Sequence, residues 1–194
     1  MELLAELTRI MLTLSNALLY PVLILLVVLV GVSFIFVGEL LSDYSRRKSG
    51  SIEDKLNDGH LSVFFEKLKG VLAGHSDEDT LVRETERLMQ EREVEIMRKL
   101  EKPRILIKFG PTLGLMGTLI PLGPALLGLS AGNIEQLANN LVIAFTSTVV
   151  GLLIGAVSMI VATVRQRWYT EDMNDMEYIA EKSLKNHEIT RDQH

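Results

Sequence analysis

Apolar residues are arranged along the chain in three long runs that contain almost no charge. Residues 20–37 have no charged side chain, residues 105–129 have one, Lys108, and residues 137–164 have none. A helix needs roughly 20 apolar residues to cross a hydrocarbon core of about 30 Å. The pattern therefore predicts an all-α membrane protein with three transmembrane helices, one in each run.

The first 19 residues carry an apolar stripe at helical spacing, formed by Leu3, Leu7, Met11, Leu14 and Leu18. This stripe predicts an amphipathic helix over 1–19 that lies on the outer surface, or an extension of the first membrane helix. A cleaved signal peptide is disfavoured, because Glu2 and Glu6 stand where such peptides carry basic residues.

Residues 38–104 are polar and are expected to form a helical segment. One helix is predicted to end at Gly74 and a longer one to begin near Ser76 or Asp77. Pro103 is expected to break or kink the path into the second membrane helix. The third membrane helix is predicted to continue beyond residue 164, and this extension and the two helices of 38–104 each carry one apolar stripe. The three stripes are predicted to pack on one another and on neighbouring copies.

Lys and Arg are distributed unequally around the three runs. One precedes residue 20, thirteen lie in 38–104, none lies in the hairpin 130–136 and five lie in 165–194. Cytoplasmic segments of membrane proteins carry the excess of basic residues. The N-terminus and the hairpin are therefore predicted outside, and 38–104 and the 165–194 helix and tail in the cytoplasm.

Composition narrows the class of function. The 194 residues include no Cys and carry a net charge of −5, with a mean hydropathy of +0.23. A protein that binds nucleic acid would need a basic surface, so no nucleic-acid partner is expected. The sequence has no catalytic triad pattern, phosphate loop or metal-spaced cluster, so an enzyme, a cofactor and a metal site are not predicted.

Small residues recur every three or four positions in the second and third runs. Such stripes let helix backbones approach closely in lipid, where no hydrophobic force joins helices. They predict tight helix packing, within a chain or between chains, at Gly110, Gly114, Gly117, Ala144, Gly151 and Gly155.

Hydroxyl side chains accompany the small residues and are candidates for a hydrated proton path: Thr118, Thr146, Ser147 and Thr148. Hydroxyls donate and accept hydrogen bonds without titrating. The alternative is that they bond back to carbonyls one turn earlier in their own helix. Between Phe109 and Val164 the only ionisable residue is Glu135, in the hairpin. If the protein conducts protons, a membrane carboxylate must therefore come from another polypeptide.

Two segments resemble the hallmark motifs of the MotA/TolQ/ExbB proton-channel family. They are GPTLGLMGTL at 110–119 and AFTSTVVGL at 144–152, and both stand at the expected places in the order of spans and loops. Three spans make the chain similar to the ExbB and TolQ branch. One position departs from that branch, since Ile143 stands where its members commonly carry Glu.

The resemblance implies a homo-oligomer, a pentamer, around a dimer of a single-span partner similar to ExbD, TolR or MotB. The partner's membrane Asp would face Thr118 and Thr148. The expected function is that of a proton-channel subunit in a motor driven by the proton-motive force, located in the cytoplasmic membrane. The alternative is a non-conducting oligomeric membrane scaffold. A transporter built from inverted repeats is disfavoured, because three spans contain no internal repeat.

Overall fold

The computed structural model describes residues 2–48, 59–74 and 78–191 of the chain. Within these ranges the regular elements are four helices: α1 at Glu2–Lys48, α2 at Gly59–Gly74, α3 at Glu78–Ser130 and α4 at Ile134–Arg191. The helices α1, α3 and α4 are each long and apolar enough to cross a membrane. The predicted all-α fold with three membrane-spanning helices is confirmed.

The segment 2–19 is the first part of α1 and continues without a break into 20–37. The sequence predicted either a separate amphipathic helix or an extension of the first membrane helix, and in the structure the segment is an extension of that helix. No glycine lies between residues 2 and 30, and Pro21 is accommodated inside the helix. The helix therefore meets no glycine near residue 19, and Pro21 does not end it.

Of the break or kink expected at Pro103, the break does not occur. The helix α3 is continuous through four prolines, Pro103, Pro111, Pro121 and Pro124. Each proline removes one N–H donor from the helix and leaves a carbonyl four residues earlier without its usual partner. Pro103 and Pro121 are fully buried. Membrane helices tolerate proline where neighbouring helices pack against it, and the burial of these two rings meets that condition.

The other helix ends follow the sequence signals closely. The helix α2 is described as far as Gly74, the residue at which it was predicted to end. The predicted start of the next helix at Ser76 or Asp77 lies outside the described residues, and α3 is described from Glu78. The third membrane helix continues beyond residue 164 as far as Arg191, so its predicted extension out of the apolar run is confirmed.

The chain divides into two compact units, which we call the apolar unit (1–39 and 103–162) and the polar unit (40–102 and 163–194). In the apolar unit, α1 buries only one face, which includes Val22, Leu26 and Phe36. Its other apolar side chains are exposed; Val27, for example, is 72% exposed. A helix that is apolar all round but buried on one side is suited to lipid or to neighbouring membrane helices.

The polar unit has its own core, built from three helices. Phe64 and Leu68 of α2 pack with Met176 and Ala180 of α4 and with Leu88 of α3. These residues belong to the apolar stripes of the three helices. The prediction that the stripes pack on one another is therefore confirmed within a single chain.

Candidate functional site

The small residues of α3 and α4 bring the backbones of these two helices into contact in the apolar unit. A Cβ atom added at Gly110 would lie 2.8 Å from the carbonyl oxygen of Gly151. One added at Gly151 would lie 2.7 Å from the Cα of Gly114, and one at Gly155 would lie 2.8 Å from Cγ of Pro111. Side chains do not approach backbone atoms so closely, so the contact depends on residues without a Cβ.

A tight turn at residues 131–133 sets the antiparallel pairing of α3 and α4. Gly132 has a φ of 74°, a left-handed conformation that glycine adopts without strain. The Oδ1 atom of Asn133 accepts a hydrogen bond of 2.9 Å from the N–H of Gln136, which caps the first turn of α4. The connection is shorter than the hairpin 130–136 that the sequence predicted, because α3 extends to Ser130 and α4 begins at Ile134.

Thr118 on α3 and Thr148 on α4 face each other across the contact, and their hydroxyl groups are hydrogen bonded. The Thr118 hydroxyl also lies 3.0 Å from the carbonyl oxygen of Gly114 and 3.3 Å from that of Ala144. The Thr148 hydroxyl lies 3.3 Å from the same Ala144 oxygen. Each hydroxyl therefore reaches a carbonyl of its own helix, as the back-bonding alternative expects, and also reaches the other hydroxyl.

The other two candidate residues lie in different surroundings. Ser147 is buried, donates a hydrogen bond of 2.8 Å to the carbonyl oxygen of Ala144, and packs against Gly117, where a Cβ atom would lie 2.7 Å from the serine oxygen. Thr146 is exposed. It lies about 200° around the helix from Thr148, because each residue turns the chain by about 100°. The structure thus brings together three of the four hydroxyls.

Ionisable groups lie far from the threonine pair. In the described stretch from Phe109 to Val164 the only one is Glu135, which is exposed in the first turn of α4. Thirteen residues separate it from Thr148, or about 20 Å along the helix. The hydroxyls can pass a proton only by accepting one and donating another. The site therefore consists of hydroxyl groups, and no carboxylate of the described stretch from Phe109 to Val164 lies beside them.

A second set of polar contacts lies in the polar unit. Arg47 of α1 forms an ion pair with Asp172 of α4, and its guanidinium lies 5.1 Å from the centre of the Trp168 ring. The Tyr44 ring stacks on Trp168 at 6.4 Å between centroids. Asp172 has no regular sequence spacing to these aromatic and basic residues, so the sequence gave no sign of its pairing with Arg47.

Tyr169 lies beside these contacts. Burial raises the pKa of its phenol above the ordinary value, and the neighbouring charge of Arg165 partly opposes this. Arg165 is itself buried and lies 3.6 Å from Asp43 of α1. The phenol is therefore neutral at physiological pH, and the charges of this set are balanced between basic and acidic groups.

Comparison with known proteins gives one result that bears on function. The model of the MotA/TolQ/ExbB proton channel family matches residues 55–178, which is more than half of the chain. No curated protein and no solved structure gave a significant match. The matched region contains most of α3 and α4 and includes the glycine contact and the threonine pair. With three helices able to cross a membrane, the chain is a multi-pass membrane protein that belongs to the MotA/TolQ/ExbB proton channel family.

Proposed function

We propose that the chain is the proton-conducting subunit of a motor driven by the proton-motive force. In this proposal five copies form a ring around a dimer of a single-span partner, as in the three-span ExbB and TolQ branch. The partner supplies a membrane Asp that carries the protons, and Thr118 and Thr148 face that Asp. Membership of a proton channel family supports the conducting role, and such channels are not enzymes.

The observation that carries the proposal is the contact between the Thr118 and Thr148 hydroxyls. They come from different helices, and they meet in a stretch whose only ionisable residue is the distant Glu135. A hydroxyl pair can hold and reorient protons, but it does not bind an extra proton at neutral pH. A carboxylate from a partner would complete the path.

The proposed location is the cytoplasmic membrane, with the N-terminus outside and the C-terminus in the cytoplasm. The support is the distribution of Lys and Arg, with thirteen residues in 38–104 and five in 165–194. The short turn between α3 and α4 contains no Lys or Arg, which suits the outer side.

The alternative, a non-conducting scaffold, draws no specific support from the geometry. That hypothesis needs the small-residue stripes to join different chains. Gly110, Gly114, Gly151 and Gly155 instead pair α3 with α4 inside one chain. The small residues therefore explain how α3 and α4 pack within one subunit, and they do not require contact between chains.

Proton flux through vesicles tests the proposal. The complex is purified through a tag on this chain from its source cells and reconstituted. Thr118→Val and Thr148→Val keep the side-chain shape and remove the hydroxyl, and each is expected to lower flux about tenfold to a hundredfold, as for the loss of a hydrogen bond to a charged group.

Thr112→Val is the matched control. Thr112 is an exposed threonine of α3 whose hydroxyl donates to the carbonyl of Lys108 at 2.7 Å. This variant is expected to retain full flux. Full flux in both Thr118→Val and Thr148→Val would show that the pair is not the path.

A further inference from the structure

The carbonyl oxygen of Ala144 is shared by more hydrogen-bond donors than it can accept. Ser147 lies 2.8 Å from it, and Thr118 and Thr148 each lie 3.3 Å from it. The N–H of Thr148 also points at this oxygen, because helical N–H groups bond four residues back. A carbonyl oxygen has two lone pairs. Three hydroxyls therefore compete for the lone pair that the N–H leaves.

Of the three hydroxyls, that of Ser147 makes the shortest hydrogen bond to the Ala144 oxygen. Its contact with the Ala144 oxygen is 0.5 Å shorter than the contacts of the two threonines, 2.8 against 3.3 Å. Its side chain is 3% exposed and is held against Gly117 of α3. Hydrogen bonds weaken as the distance grows beyond about 3 Å. The serine therefore holds this acceptor more strongly than Thr148, whose own back-bond to it is long at 3.3 Å.

This competition affects where the Thr148 hydroxyl directs its proton. Because Ser147 makes the shorter contact with the Ala144 oxygen, the Thr148 proton is directed to the Thr118 hydroxyl or to an acceptor outside the pair. Thr118 has a second acceptor of its own, the Gly114 carbonyl at 3.0 Å. The hydroxyl of Thr148 on α4 is therefore held less firmly by carbonyl oxygens than the hydroxyl of Thr118 on α3.

We propose that Ser147 is a positioning residue of the proton path: it donates to the Ala144 carbonyl and so releases the Thr148 hydroxyl to donate to the partner's carboxylate. The inference rests on the proposed function, since it needs a partner carboxylate beside the threonine pair. In this inference Ser147 acts by orienting the Thr148 hydroxyl and does not itself touch the partner's carboxylate.

The role predicts a change in the pH dependence of proton flux. A hydrogen bond to an ionised carboxylate lowers its pKa, so loss of the Thr148 bond raises the pKa of the partner carboxyl. The charged groups of this chain near the path are few. Glu135 lies at the outer end of α4, Lys108 lies ten residues before Thr118 on α3, and residues 20–37 of α1 have no acidic or basic side chain. None of these groups changes in a Ser147 variant.

The experiment measures proton flux against pH in vesicles that contain the complex purified through this chain. Ser147→Ala removes the hydroxyl and is expected to move the midpoint of the flux profile to higher pH, by about half a unit to one unit. Ser147→Gly removes the same donor and leaves no atom against Gly117. It should move the midpoint in the same direction, and it provides a second test if the alanine variant assembles poorly.

Ser158→Ala is the matched control, because Ser158 is another fully buried serine of α4. Ser158→Ala removes a serine hydroxyl about 16 Å along the helix from Ser147. This variant should leave the midpoint of the flux profile unchanged. An unchanged midpoint in both Ser147 variants, with flux still lost in Thr148→Val, would overturn this inference alone. Full flux in Thr118→Val and Thr148→Val would instead overturn the proposed function.

Discussion

Gly151 is the tightest point of the backbone contact between α3 and α4. An added Cβ would lie 2.6 Å from the carbonyl oxygen of Gly110 and 2.7 Å from the Cα of Gly114, and both are backbone atoms that cannot rotate away. We predict that Gly151→Ala destabilises the subunit by about 1–3 kcal/mol, the usual range for an overpacked contact. The free energy of unfolding in detergent measures this.

Gly31→Ala is the control for this prediction. Gly31 lies inside α1, and a Cβ atom there would meet no atom within 4 Å. Alanine is also the better helix former, so this variant should be neutral or slightly stabilising. Equal losses in the two variants would contradict the account of the glycine contact.

The sequence predicted which residues of the site are small and which carry hydroxyls. It did not say whether the stripes join helices of one chain or of several, because spacing describes one face and not its neighbour. The pairing of Thr118 with Thr148 follows from the register between α3 and α4. That register is set by the short turn at Gly132 and Asn133, whose geometry is not contained in the periodicity.

At the scale of the helices, the sequence predicted type and position better than continuity. The three apolar runs lie inside α1, α3 and α4. Of the break or kink expected at Pro103, the break does not occur, because proline disrupts a helix most where nothing packs against it and this ring is buried. Burial depends on the neighbouring elements, so a local rule applied to residues 100–105 could not have anticipated it.

The contacts of Arg47 are expected to hold the end of α1 against α4. The guanidinium pairs with Asp172 and lies over Trp168, and the two ion-pair side chains are 26% and 15% exposed. We predict that Arg47→Ala lowers the free energy of unfolding by about 1–2 kcal/mol, which sums a partly shielded ion pair and a cation–π contact. Unfolding of the full chain in detergent measures the loss.

Arg167→Ala provides the comparison for Arg47. Arg167 pairs with Glu171 one turn along α4, with side chains 79% and 50% exposed. Such exposed helical pairs contribute only about 0.3–0.5 kcal/mol. If Arg167→Ala cost as much as Arg47→Ala, the proposed connection between α1 and α4 would be wrong.

In the whole molecule, the polar unit has a core of its own, whereas the apolar unit leaves apolar faces uncovered. The core of the polar unit is made from three helices of one chain. The apolar unit leaves large faces of α1, α3 and α4 exposed, among them Val27, Leu119 and Phe145. In a membrane such faces are covered by lipid or by other helices. The proposed ring and its single-span partner would cover part of them.

The central claim is that the stretch from Phe109 to Val164 offers hydroxyls but no carboxylate except the distant Glu135, so that the proposed conduction needs a partner. The most direct test compares proton flux in vesicles that contain the purified chain alone with flux in vesicles that contain the complex. The account predicts flux for the complex and none above empty vesicles for the chain alone. Equal flux from the chain alone would contradict it, because the path would then need no carboxylate from a second protein.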